Sequence, residues 1–162
     1  MDKTALVAQL VTRLRETAHT ARVAMEAAAI EARDGATAAE KRENARVSQE
    51  NSNLARGHLA RLDRATDDLA ALEKFRLPKL GPKSRVALGA VVEVEDEGEG
   101  RTFFLAPVGA GIELTGPGGD GVLSVVTPAS PVGRAVLERI VGETIEVMVN
   151  GKSREWTITY VE

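Results

Sequence analysis

The sequence contains no cysteine and only two histidines. Disulfides and thiolate metal sites are therefore excluded, and a reducing compartment is the natural expectation. Aromatic residues make up only 3% of the 162 residues, and four of the five follow residue 100, so the two halves of the chain must pack differently. No apolar run approaches the roughly 20 residues needed to cross a bilayer, and the N-terminus lacks a basic segment followed by an apolar core. The expectation is a soluble, cytoplasmic protein with no membrane contact. An excess of positive charge is missing as well: 21 Lys and Arg stand against 24 Asp and Glu, a net charge of −3. Bulk charge thus argues against a nucleic-acid-binding surface in either half.

What the sequence does contain is periodicity. From about Ala5 to Arg33, Val7, Val11, Leu14, Ala18, Ala21, Met25, Ala28 and Ala32 recur in steps of four and three, the spacing of a coiled-coil seam. Neither proline nor glycine interrupts them, which predicts a helix of about 40 Å. A second run, roughly Ala38 to Phe75, carries Ala55, His58, Leu62, Ala65, Leu69 and Leu72. Extended backwards, its register passes through Asn51, Ser48 and Asn44. Between the runs, Asp34 and Gly35 break the first helix and Thr37 caps the second. The first half, residues 1–77, therefore reads as an antiparallel helical hairpin with an acidic tip near 34–44. Small and polar seam residues make that tip its least stable part. His58 and His19 read as ordinary helix residues, because no second ligand is spaced to join either.

Residues 78–83 form a short linker, with Pro78 ending the helix and Gly81-Pro82 turning the chain. The second half, 84–162, reads as a small sheet with one helix, giving an α+β chain. Val86, Leu88, Ala90, Val92 and Val94 alternate as a half-buried strand that runs into an acidic turn at 95–100. Further strands are expected at Arg101 to Pro107, Gly121 to Thr127, Thr144 to Val149 and Ser153 to Val161. Asn150-Gly151 joins the last two as a hairpin. Ser130-Pro131 starts a helix that Gly142 should close. Trp156, Ile158 and Tyr160 are expected on one face, in the core.

Two apparent phosphate motifs fall away. Gly151-Lys152-Ser153 lacks the earlier glycine of a phosphate loop and lies in a hairpin turn. The glycine cluster at 116–121 precedes no helix N-terminus. With no histidine placed for a nucleophilic triad, the chain is expected to do no chemistry alone.

Two motifs remain. Ser130-Pro131-Val132-Gly133-Arg134-Ala135-Val136-Leu137, followed by Val141-Gly142-Glu143-Thr144, resembles the C-terminal signature of the bacterial Gre (GreA/GreB) transcript-cleavage factors. Glu40-Lys41-Arg42-Glu43-Asn44-Ala45 is similar to their tip motif Asp-Leu-Lys-Glu-Asn-Ala. The resemblance spans nearly the whole chain, as a divergent member, and implies an FKBP-like C-terminal domain that docks on RNA polymerase at its secondary channel. Ser130, Pro131, Gly133 and Arg134 become docking candidates. The hairpin would then deliver Glu43 and Glu40 to the active centre, where they share a Mg²⁺ with the polymerase and promote hydrolysis of backtracked RNA. Lys41, Arg42 and Arg46 would lie near the RNA 3′ end. No cofactor is expected to bind tightly, since two carboxylates are too few to hold Mg²⁺ alone, and a monomer is expected.

This sequence departs from the family motif. Glu40 is one methylene longer than the family's Asp, Arg46 and Val47 replace an acidic and an aromatic residue, and Thr37-x-x-Glu40 also reads as a capping box. Asp34 is the substitute second ligand. The departures motivate an alternative, a Gre-like regulator that fills the channel without promoting cleavage. The implied FKBP-like fold also prompts a peptidyl-prolyl isomerase reading, but fold does not carry function and few aromatics exist to line a proline pocket. A scaffold that binds a helical partner would instead self-associate through the Val and Leu end of the seam.

Overall fold

The computed structural model describes residues 2–34, 45–119 and 121–162, with the side chains of 32–34 left aside. Two helices open the chain, α1 (Lys3–Asp34) and α2 (Ala45–Lys74). Their 32 and 30 residues correspond to about 48 and 45 Å. The described residues divide within both helices into two compact units, Thr12–Ala70 on one side and Met1–Val11 with Ala71–Glu162 on the other.

The unit from Thr12 to Ala70 is the coiled-coil part of the hairpin. Leu14, Ala21, Ala28 and Ala65 are buried along its seam, while Ala18, Met25, Ala55, His58 and Leu62 are half-buried. Alanine at most buried positions permits close helix approach but removes little apolar surface from water per residue. The polar continuation of the α2 seam fades from half-buried Asn51 to exposed Ser48.

The other unit is a six-stranded sheet among the described residues, made of β1 (Val91–Asp96), β2 (Glu99–Leu105), β3 (Glu113–Thr115), β4 (Val122–Val126), β5 (Thr144–Val149) and β6 (Lys152–Val161), with the short helix α3 (Pro131–Val136). The strand order is β3-β4-β2-β1-β6-β5. Every pairing is antiparallel except that of β2 with β4, which is parallel. One face, carrying Val92, Val94, Phe103, Leu105, Ile145, Val147, Trp156, Ile158 and Val161, forms the main core with Val136 of α3. Leu6 and Leu10 at the base of α1 are fully buried, and Leu10 lies against Gly109. Beside them, the Gln9 side-chain amide bonds both backbone groups of Thr115, donating to its carbonyl at 2.8 Å and accepting from its N–H at 2.9 Å.

Several expectations need correction. The strand expected over Val86 to Val94 begins only at Val91. Ahead of it, Val86 donates to the Arg139 carbonyl and accepts from the Glu138 N–H, both at 2.8 Å. The same pairing shortens the helix expected to reach Gly142. It ends at the cap Leu137, because Glu138 turns to φ 64° as it bonds Val86. Gly142 instead donates to Ile158 at the foot of β5. The three-residue strand β3 was too short to show alternation in the sequence.

At the C-terminal end, Tyr160 is only half-buried and Val161 takes the interior place. Glu93 pairs with Tyr160 but the next residue, Val94, pairs with Ile158, so Thr159 is an extra residue in β6. A bulge of this kind reverses which residues point inward. The Asn150-Gly151 hairpin turn is present as read, with φ of 51° and 76°, values that match the twist of the flanking strands.

Candidate functional site

The tip of the hairpin lies between Asp34, the last residue of α1, and Ala45, the first of α2. Thr37, Glu40, Lys41, Arg42, Glu43 and Asn44 fall outside the described residues. Arg46 follows at the start of α2, where its guanidinium is exposed and its Nε donates to Glu50 Oε1 at 3.1 Å, one helical turn on. An exposed pair of this type contributes only a few tenths of a kcal/mol, about 0.3–0.5, so it leaves Arg46 free to exchange partners. Among the described residues, no group of three or more His, Cys, Asp or Glu side chains is placed to hold a metal ion.

The Ser130–Arg134 motif divides into two kinds of residue. Ser130 is the N-cap of α3: its Oγ accepts from Gly133 N–H at 3.0 Å and donates to the Thr127 carbonyl at 2.8 Å. Gly133 is buried so tightly against that carbonyl that a Cβ would stand 1.9 Å from the oxygen. Both residues are therefore engaged in fastening α3 to the end of β4. Pro131 and Arg134 are exposed and present their side chains to solvent. The motif thus couples a fixed turn to a small accessible surface.

A charged cluster missed in the sequence sits at the end of β1. Asp96 is 5% exposed and receives a 2.7 Å ion pair from Arg154 Nη1 of β6. The Arg154 hydrogen bond holds the Asp96 carboxyl below the usual carboxylate range despite the opposing effect of burial. The buried indole N–H of Trp156 adds to this, although no hydrogen bond of normal geometry joins the two. Arg101 lies over the Trp156 ring at 5.6 Å, and Phe103 stacks on it with centroids 5.8 Å apart. In the sequence Asp96 looked like one acid of a solvated turn. The available signal was its even spacing with Val92 and Val94, which places it on the interior face.

Residues 81–162 match the family profile described as transcription elongation factor, GreA/GreB, C-term. Similar solved structures include Gfh1 from Thermus aquaticus, at 22% identity and a TM-score of 0.41, with 93% of this chain and 92% of that one covered. GreA factor homolog 1 (Gfh1) protein of Thermus thermophilus is 18% identical, with a TM-score of 0.39 and 94% of each chain covered. The prokaryotic transcription elongation factor GreA/GreB from Nitrosomonas europaea is 21% identical, with a TM-score of 0.37, covering 60% of this chain and 77% of that one. A search of curated proteins gave no significant match. No helix among the described residues is long and apolar enough to cross a membrane.

Proposed function

Because this chain belongs to the transcription elongation factor GreA/GreB family, we propose that it binds RNA polymerase at the secondary channel and stimulates cleavage of backtracked RNA. The observation that carries the reading is the presence, in one chain, of the family-matched region 81–162 and a two-helix hairpin whose helices end at Asp34 and begin again at Ala45. The intervening segment contains Glu40 and Glu43.

In this reading the factor is not an enzyme by itself. Glu43 supplies the principal carboxylate and Glu40 the second, with Asp34 as its substitute. Carboxylate oxygens are the donors Mg²⁺ prefers, yet two of them fall well short of an octahedral set. A Mg²⁺ shared with polymerase would polarise the RNA phosphate and lower the pKa of its bound water. The factor's acids would complete that set and orient the water, which would make cleavage conditional on factor binding. Lys41, Arg42 and Arg46 are placed by sequence beside these acids and would attract the phosphates of the RNA 3′ end. The polymerase, the RNA within it and a cytoplasmic setting are parts of the same proposal.

The test is a cleavage assay on stalled elongation complexes in Mg²⁺. The wild-type factor should release short 3′ RNA fragments, and Glu43→Ala should slow that release at least about tenfold, as expected for loss of a group that positions a metal. Equal fragment release by the two proteins would refute the role of Glu43. If neither releases fragments while both displace an authentic cleavage factor, the chain is a channel-occupying regulator instead.

A further inference from the structure

The two edges of the sheet are treated differently. At one end β3 is three residues long, and Gln9 covers it by bonding both the N–H and the C=O of Thr115. At the other end β5 is six residues long and, among the described residues, pairs only with β6. The Ile158 N–H donates to the Glu143 carbonyl, and the register continues from Thr144 opposite Thr157 to Val149 opposite Lys152. By the alternation of an antiparallel ladder, Ile145, Val147 and Val149 bond to β6, and Thr144, Glu146 and Met148 aim their backbone groups at the open edge. Among the described residues those three N–H groups make no backbone hydrogen bond outside the sheet ladder. β5 also lacks the proline, lysine or bulge that commonly guards an edge.

The flanking charge indicates what would fit there. Glu93, Glu95, Glu146 and Glu155 share the face opposite the core, as the registers of β1, β6 and β5 require. The basic residues of these strands and of β2, Arg101, Lys152 and Arg154, fall on the other face. Glu146 stands directly across from Glu155, a like-charge pair that costs stability. Ser153 donates to Glu146, which offsets part of that cost. Met148, on the same face, is 58% exposed. A second copy of this chain is a poor occupant, because antiparallel pairing centred on Glu146 or Val147 would bring two acidic faces together.

We propose that the β5 edge accepts an extended peptide segment in which Lys or Arg alternates with apolar residues. The added strand would bond to the outward groups of Thr144, Glu146 and Met148. Its cations would lie on the acidic face and its apolar residues would continue the side bearing Val147. This inference does not rest on the proposed role in transcript cleavage.

The experiment follows amide hydrogen exchange by NMR in the full chain, using a short amidated peptide of alternating Lys and Val as probe. At saturation, exchange at Glu146 and Met148 should slow at least about tenfold, reflecting new hydrogen bonds, and a Glu-Val peptide should leave both unchanged. Met148→Pro removes an outward donor without touching the β6 ladder, and should weaken peptide binding at least about tenfold, or 1.4 kcal/mol. Glu146→Lys should do the same with the backbone donor retained. Undiminished binding to both variants would overturn the proposal by showing general charge attraction. Concentration-dependent protection of β5 without peptide would overturn it in favour of a second copy.

Discussion

A methyl group at position 133 would meet the Thr127 carbonyl oxygen at 1.9 Å and the Ser130 hydroxyl at 2.9 Å. The nearest obstacle is backbone, so the strand end or the helix must move to admit it. Gly133→Ala should therefore destabilise the fold by about 2 kcal/mol or more, measured as a lower midpoint in urea denaturation with an unchanged slope. A midpoint equal to wild type would mean that the turn is looser than its geometry indicates. Tyr160 offers a second measurement at this scale, because it is the only tyrosine. Its hydroxyl donates to Glu162 Oε2 at 2.6 Å, and this bond, together with burial, pushes the phenol up to about 12. The sign follows from which form the fold prefers. The neutral phenol is favoured, so its stabilisation is fully present below the unfolded value of about 10 and is lost as pH rises through about 12. Tyrosinate absorbance should show the high midpoint in the native protein and one closer to 10 in Glu162→Ala. Native titration near 10 would contradict the hydrogen bond.

At the scale of elements, α1 has to satisfy two different environments. The heptad seam runs through Leu14, Ala21 and Ala28, all buried, and its spacing predicts Val7 and Val11 as the continuation toward the N-terminus. Leu6 and Leu10 are the fully buried residues there, whereas Val7 and Val11 are half-buried. Periodicity reveals that a helix has an apolar stripe but not which neighbour will cover it. Leu10→Ala should cost about 2–5 kcal/mol in thermal or urea unfolding, more than the same change at half-buried Val11. The strands were legible where alternation was long and a hairpin fixed the register, as in β5 and β6. They were misread where one local pairing, Val86 with Glu138 and Arg139, replaced the expected strand and shortened the expected helix together. The Tyr160 misplacement has a similar origin, since a single inserted Thr159 reverses the inward residues and leaves no mark in the composition.

For the whole molecule, the family-matched region and the hairpin tip can be altered separately. Glu43→Ala should retain the ability to displace an authentic cleavage factor from polymerase, because the substitution leaves residues 81–162 intact. A competition assay in which Glu43→Ala no longer displaces that factor would assign binding as well as chemistry to the tip. The Ser130–Leu137 motif was legible because it is contiguous in the chain, whereas the tip residues read from the sequence lie outside the described residues. The Asp96–Arg154 pair and the β5 edge were not legible, because both depend on strand order, which brings positions far apart in sequence together. The Gln9–Thr115 pairing does the same, joining residues 106 positions apart. Bringing such distant positions together from an open chain costs about 4 kcal/mol of loop entropy. The Thr12–Ala70 hairpin folds back on itself within that span, so once it forms, the remaining loop to close is far shorter. The coiled coil thus shortens the effective loop that the β3 edge must close: with the two ends of its own segment near each other, less chain entropy is lost when Gln9 meets Thr115.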